Sequence, residues 1–228
     1  MSGMFGIGGG SIRIPLLNLA GLPLLSAFGI NILVIPFSSI VGAISQRKNI
    51  DKKIASYVII GGILGSITGA FLVGLISALC LAVLFVTISI LTIFGIYLDR
   101  IIPKFYQKIK PYPSIIVVGS FLLNFITGMR GGSGGSLFPS FLKTMKLNIH
   151  KAVATSLFVT IFTAIAAIPI YWHRGNIIWM PALFILIGSM IGARLGSKVS
   201  LGTKPKWLKI GLSVFVIILA FVVIYKAL

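Results

Sequence analysis

The chain is poor in charge, and above all in acid. Only 10% of its 228 residues are charged, and two carboxylates, Asp51 and Asp99, stand against 20 lysines and arginines, which gives a net charge of +18. A soluble domain carries about 25% charged residues, so this chain lacks the polar side chains that would cover a surface facing water. Hydrophobic residues make up 57% of the chain, and the mean hydropathy is +1.11. These values indicate an all-α, polytopic membrane protein.

Catalytic and metal-binding groups are equally scarce. The single cysteine, Cys80, lies in an apolar segment, which excludes an internal disulfide and any Cys/His metal cluster. No Asp or Glu lies inside a long apolar run, so carboxylate proton relays and sodium sites are excluded and a cation transporter is disfavoured. We therefore expect neither an enzyme nor a cofactor nor a metal site.

Long apolar runs account for most of the chain. Each holds about 20 or more residues, enough to cross a hydrocarbon layer of ~30 Å as a helix. The six runs are 24–45, 54–76, 78–98, 149–171, 177–197 and 207–226. Two further segments, 1–19 and 114–146, each contain a glycine-rich loop. The sequence thus predicts a single transmembrane domain, 1–228, in the plasma membrane.

An internal repeat relates the two glycine loops. An offset of 125 places "GIGGGS" (6–11) on "GGSGGS" (131–136), and an offset of 127 places one GxxxGxxxG pattern on another. Such patterns provide a small face for close helix packing. The glycines concerned are Gly61, Gly65, Gly69, Gly188, Gly192 and Gly196. We expect two copies of one unit, 1–98 and 114–228, joined by a linker, 99–113.

Basic loops favour one topology. The loop 46–53 and the linker 99–113 are rich in lysine and arginine, so they are predicted to lie inside. If segment 114–146 enters and leaves on the same side, nearly all loop bases lie inside, and only Arg174 and Lys226 lie outside. The two copies would then be inverted, as in many secondary transporters. Eight full crossings remain the alternative.

The glycine loops suit an anion. Non-helical backbone is tolerated at membrane depth only in a protein interior or a wet cavity, and a helix start after a glycine turn directs N–H groups at an anion. We expect the two loops to form one midplane site, with arginine supplying a planar fork that fits a small oxyanion. The predicted site residues are Gly8, Gly9, Gly10, Ser11, Arg13, Arg130, Gly132, Ser133, Gly134, Gly135 and Ser136. Snorkelling of the arginines toward the interface is the alternative.

Two prolines and several polar residues extend this prediction. Pro15 and Pro139 are expected to interrupt regular helices and free further backbone groups. Polar side chains on the helices after the loops are candidates for lining the path, with hydrogen bonding inside their own helix as the alternative. They are Asn31, Ser38, Thr155, Ser156 and Thr160.

The combined motifs resemble a known family over essentially the whole chain. A GxGGGxxxxP loop near the start, a second glycine-rich loop before a proline and GxxxGxxxG in each half are similar to the sulfite exporter TauE/SafE family, also called the 4-toluene sulfonate uptake permease family. The resemblance implies a permease of about eight segments that moves sulfite, sulfonates or similar anions without ATP. The implied partners are the oxyanion and the lipid bilayer, without nucleic acid, and a homodimer is left open. A passive anion channel and a non-transporting membrane scaffold subunit are the alternative functions.

Overall fold

Helices and connecting turns make up the described structure. The computed structural model describes residues 2–5, 10–75, 77, 80, 83, 87, 90, 94, 97–132, 134–135 and 137–227, and no strand occurs among them. In chain order the helices are α1 (Ser2–Phe5), α2 (Gly10–Leu19), α3 (Leu24–Ser45), α4 (Lys52–Phe71), α5 (Leu98–Ile101), α6 (Pro103–Lys108), α7 (Pro113–Gly128), α8 (Phe138–Thr144), α9 (Ile149–His173), α10 (Trp179–Gly202) and α11 (Pro205–Ala227). The predicted all-helical class is confirmed.

Within the described ranges, four helices are long and apolar enough to cross a membrane. These are α3, α4, α9 and α10, and they correspond to four of the six predicted crossings. The predicted run 207–226 falls within α11. Most of the run 78–98 lies outside the described residues. The chain is therefore a multi-pass membrane protein, as predicted.

Helices α4 and α9 run side by side in the same direction. At one end, the backbone N–H of Asp51 donates to the Thr155 hydroxyl at 3.0 Å. At the other end, the Arg174 guanidinium donates to the carbonyls of Ala70 and Phe71. The end that carries the basic loop 46–53 is called the inner end below.

Helix α7 packs along the small face of α4. A Cβ atom on any of three α4 glycines would collide with a backbone carbonyl oxygen of α7, so only glycine allows this approach. The contacts pair Gly61 with Val117, Gly65 with Phe121 and Gly69 with Phe125. The residue numbers of the contacts increase together along both helices, so α7 runs parallel to α4, from the inner end outward.

Helix α8 then returns beside α7. A Cβ atom on Gly134 would lie 2.8 Å from the Asn124 side chain, and one on Gly119 would lie 2.6 Å from the Phe141 ring. These contacts make α7 and α8 an antiparallel hairpin, 113–144, that enters and leaves at the inner end. With seven residues, α8 extends only about 10 Å. This is the same-side arrangement that the loop charges favour.

Among its described residues, the first half shows the corresponding packing between α1 and α10. A Cβ atom on Gly3 of α1 would collide with the carbonyl oxygen of Ala193, and one on Gly196 would lie 2.9 Å from the Met4 nitrogen. Gly188 and Gly192 meet no atom within 4 Å in the described part of the chain. The close packing expected at these two glycines is therefore not found there.

Two hydrogen bonds occupy equivalent places in the two halves. The Tyr171 hydroxyl donates to the Gly128 carbonyl at 2.9 Å, and the Gln46 side-chain amide donates to the Gly3 carbonyl at 2.9 Å. The offset of 125 places Gly3 on Gly128 and Gln46 on Tyr171. Different side chains thus fix the same backbone point before each glycine loop.

The Arg174 side chain binds the last carbonyls of α4 at the outer end. Its guanidinium donates to the carbonyls of Ala70 (3.3 Å), Phe71 (2.8 Å) and Val73 (3.2 Å). The last carbonyls of a helix lack partners within it, and a cation there is favoured by the helix dipole. Arg174 therefore caps α4.

We expect Arg174→Ala to lower the free energy of unfolding by about 1–2 kcal/mol, because the end of α4 loses these hydrogen bonds. Thermal unfolding of the purified protein in detergent measures this change. Arg194→Ala, at an exposed position of α10, is the control. An equal midpoint for the two variants would contradict the capping role.

Candidate functional site

The second glycine loop, 129–137, connects α7 to α8 by two left-handed turns. Gly131 has φ 65° and Gly134 has φ 66°, a conformation that glycine adopts at no steric cost. A Cβ atom on Gly131 would also collide with Phe28, and one on Gly134 would lie 2.8 Å from Asn124 and Phe138. Any side chain is thus excluded from these two positions by both conformation and space.

Thr127 holds the loop in this shape. Its carbonyl accepts from the Gly132 N–H at 2.9 Å, and its hydroxyl accepts from the Gly134 N–H at 2.7 Å while donating to the Leu123 carbonyl at 2.7 Å. The amides of Gly132 and Gly134, expected from the sequence to bind the anion, are therefore engaged within the hairpin. Thr127 is not among the residues predicted from the sequence, although a polar residue next to a glycine loop in an apolar helix indicates a position facing the protein interior.

The loop descends from the outer third of the bundle toward its middle. The Asn31 amide donates to the Gly131 carbonyl at 2.6 Å, and Asn31 lies about 10 Å along α3 from its outer end. Gly134 contacts Asn124, which in turn lies beside Gly62 near the centre of α4. The Gly134 end of the loop thus reaches mid-depth, whereas the turn at Gly131 lies farther out.

Arg130 lies at the outer turn of this loop. It is half-buried, between Met129, which is 1% exposed, and the tightly packed Gly131. Its backbone N–H donates to the Thr127 carbonyl at 3.1 Å. The guanidinium is thus attached to a backbone segment that is fixed on both sides.

Several fully buried polar side chains lie on the packed helices. Each is 0% exposed and has a side-chain atom without a hydrogen-bond partner among the described residues; they are Asn31, Ser39, Ser66, Asn124, Ser140, Thr160 and Ser200. We call them the polar set. An unpartnered buried polar atom costs about 1–3 kcal/mol, so such groups usually serve water or a ligand.

The polar set offers both donors and acceptors, since the unpartnered atoms of Asn31 and Asn124 are amide oxygens. The hydroxyls of Ser39, Ser66 and Thr160 are each able to donate one hydrogen bond. Asn124 lies against Gly134 of the loop. It also lies against Gly62 of α4, and Thr163 of α9 packs on the same glycine. In the described part of the chain, no group of three His, Cys, Asp or Glu residues is placed to hold a metal ion.

The first glycine loop is described only in part. Gly8 and Gly9 lie outside the described residues, as do Ser133 and Ser136 of the second loop. Gly10 begins α2, Ser11 lies in its first turn, and Arg13 is half-buried. The meeting of the two loops, and the part of Gly135 in it, therefore stay predictions.

The two prolines occupy regular helices. Pro139 lies in the first turn of α8, where its missing N–H is tolerated, so it begins a helix rather than breaking one. Pro15 lies inside α2. Helix α2 continues past Pro15, and the release of further backbone groups at these two prolines stays a prediction.

The predicted path-lining residues have different environments. Asn31 binds the second loop, Thr155 accepts from the backbone of Asp51, and Ser38 donates to the Ile35 carbonyl of its own helix at 3.0 Å. Ser156 and Thr160 are both fully buried. Asn31 and Thr160 are the two that belong to the polar set.

A family profile and several known membrane transporter proteins match this chain. The profile described as "Sulfite exporter TauE/SafE" matches residues 1–223. The chain is 26% identical over 207 residues to "Probable membrane transporter protein ORF9" of Sinorhizobium sp., covering 89% of this chain and 79% of that protein. It is 25% identical over 251 residues to "Probable membrane transporter protein YunE" of Bacillus subtilis, covering 98% and 92%. It is 28% identical over 211 residues to "Probable membrane transporter protein YfcA" of Escherichia coli K12, covering 89% and 77%. No solved structure matches the chain.

Proposed function

Because the chain belongs to the sulfite exporter TauE/SafE family and is a membrane transporter rather than an enzyme, we propose that its cargo is sulfite, a sulfonate or a similar small sulfur-containing anion. The observation that carries this proposal is the polar set, of which Asn124 lies in the hairpin and Asn31 donates to the loop that bears Arg130. Hydroxyl donors and a guanidinium favour a small oxyanion.

The proposed site divides the second loop by role. Gly131, Gly132 and Gly134 shape the backbone, since two have left-handed φ values and two donate to Thr127. Arg130 supplies charge, and the hydroxyls of the polar set supply neutral donors. Ser133, Gly135 and Ser136, with Gly10, Ser11 and Arg13 of the first half, complete the anion site in this proposal.

The packing of the two halves supports a rocking mechanism. The hairpin of the second half lies on α4 of the first, while α1 of the first half lies on α10 of the second. We therefore propose that 1–98 and 114–228 are inverted copies and that their relative movement exposes the anion site to each side in turn. With no carboxylate in the apolar runs, protons that drive transport would travel on the substrate itself.

Sulfite counterflow in proteoliposomes tests this function. Vesicles loaded with unlabelled sulfite and placed in dilute labelled sulfite should accumulate label transiently above equilibrium, with a rate that saturates. Vesicles of the same lipid without protein provide the background. Rapid equilibration without an overshoot would indicate a channel, and flux equal to the background would indicate a scaffold; either result contradicts the proposal.

A further inference from the structure

An asparagine lies at each of the two left-handed glycines of the second loop. The Asn31 amide donates to the Gly131 carbonyl at 2.6 Å. A Cβ atom on Gly134 would lie 2.8 Å from both the Nδ2 and the Oδ1 atoms of Asn124. Both asparagines are 0% exposed. Two buried carboxamides, one from α3 and one from α7, thus accompany the turns of the loop.

A backbone carbonyl fixes the orientation of each carboxamide. The Asn124 Nδ2 donates to the Ser120 carbonyl at 3.0 Å, as the Asn31 Nδ2 does to Gly131. A carbonyl oxygen only accepts hydrogen bonds, so the nitrogen of the carboxamide and not its oxygen must lie against it. Turning either carboxamide over would bring two oxygens together and lose the bond. The Oδ1 atoms are therefore the ends that remain for another donor.

These two amide oxygens have no donor within the protein. Neither the Asn31 Oδ1 nor the Asn124 Oδ1 has a hydrogen-bond partner in the described part of the chain. Buried acceptors are normally satisfied, and a carboxamide oxygen accepts hydrogen bonds without donating any. A fully ionised oxyanion carries only acceptors and cannot serve this oxygen. The missing donor is therefore a hydrogen of the bound molecule or of water.

The helices around Asn124 offer no acid that would carry a proton beside the anion. Asn124 lies against Gly62 of α4, where Thr163 of α9 also packs, and against Gly134 of the loop. Helices α4, α7, α8 and α9 contain no Asp or Glu. Their titratable side chains and that of the loop lie toward the helix ends or on the loop itself; they are Lys52, Lys53, Tyr57, Arg130, Lys143, His150, Lys151, Tyr171 and His173.

We propose, on the basis of the function proposed above, that the second loop binds hydrogen sulfite, the singly protonated form of sulfite, and that the Asn124 Oδ1 accepts its hydrogen. Arg130 and the hydroxyls of the polar set serve the oxygens of the anion, whereas Asn124 selects for the hydrogen. Fully ionised sulfite and sulfonates lack this hydrogen and leave the buried amide oxygen unserved. One proton then crosses the membrane with each anion.

The test follows the thermal midpoint of the full-length wild type in detergent during titration with sulfite or methanesulfonate. Each titration is made in mildly acidic and in mildly alkaline buffer. Sulfite is mostly singly protonated in the first and mostly ionised in the second, so its half-saturating concentration should rise in alkaline buffer in proportion to the loss of hydrogen sulfite. Methanesulfonate is ionised in both buffers. It should bind about tenfold more weakly than sulfite in acidic buffer and equally in both buffers, which controls for titration of the protein.

Asn124→Leu removes the acceptor and keeps a side chain of similar size. It should weaken sulfite binding in acidic buffer about tenfold and leave methanesulfonate binding unchanged. Asn18→Leu is the matched control, because the Asn18 Nδ2 also donates to a backbone carbonyl four residues away, that of Leu22, at 3.1 Å. This control should bind both anions like the wild type. The wild-type titrations decide the proposal if Asn124→Leu does not fold.

Three results would overturn the assignment of hydrogen sulfite while leaving a sulfur-containing anion as the cargo. The first is equal half-saturation by sulfite in the two buffers, and the second is methanesulfonate binding as tight as that of sulfite. The third is an equal loss of both ligands in Asn124→Leu, which would give Asn124 a structural role. Absence of a saturable rise with either anion would instead contradict the proposed function, and hydrogen sulfite binding with it.

Discussion

Gly65→Ala is expected to disrupt the packing of the hairpin on α4, whereas Gly192→Ala is expected to leave stability unchanged or slightly raised. The two glycines occupy equivalent positions of the two GxxxGxxxG patterns. A Cβ atom on Gly65 would collide with the carbonyl oxygen of Phe121, while one on Gly192 meets no described atom within 4 Å. Backbone cannot move aside as a flexible side chain does, so we expect a loss of about 1–3 kcal/mol at Gly65.

The comparison of these two variants separates packing from helix propensity. Alanine is favoured over glycine inside a helix by about 1 kcal/mol, and this gain applies equally to both positions. Thermal unfolding in detergent, followed by circular dichroism, measures the difference. Similar midpoints for Gly65→Ala and Gly192→Ala would contradict the hairpin placement.

Arg130→Ala is expected to lower kcat/KM for sulfite transport by about ten- to hundredfold. A charge-assisted hydrogen bond contributes about 1.5–3 kcal/mol, which corresponds to this range. Arg130→Lys should retain part of the activity, because it keeps the charge but loses the planar fork. The measurement is initial sulfite uptake into proteoliposomes over a range of concentrations.

Arg194→Ala is the matched control for this prediction. Arg194 is exposed on α10, and its removal subtracts the same charge from the protein. Equal losses in Arg130→Ala and Arg194→Ala would indicate that net charge, and not the loop, determines uptake. Reduced uptake in Arg130→Ala with an unchanged thermal midpoint would separate transport from folding.

The helical membrane class was predictable because composition alone excludes a water-facing surface. The same-side hairpin was also predictable, because lysines and arginines accumulate in the loops on the inner side of a membrane. Arg174 looked like an exception to that pattern, and its hydrogen bonds to α4 explain why a base is retained at the outer end. Arg174 caps α4 because the fold places the end of α4 beside it, and the spacing of residues in the sequence does not show which helix ends become neighbours.

The site was less predictable than the fold. Glycines within a pattern indicate a small face but not its occupant, so Gly65 and Gly192 could not be told apart before the helices were placed. Likewise, the glycine loop suggested free N–H groups, but Thr127 engages those of Gly132 and Gly134. Asn124 and Thr127 could have been found as polar residues one turn apart in an apolar helix.

The central claim is that the loop bearing Arg130 binds the transported anion, and a sulfite titration of purified protein tests it most directly. We expect sulfite to raise the thermal midpoint of the wild type and of Arg194→Ala until the effect saturates, because a ligand stabilises the state that binds it. Arg130→Ala should show little or no rise. A sulfite-dependent rise of the same size and midpoint concentration in Arg130→Ala would contradict the account.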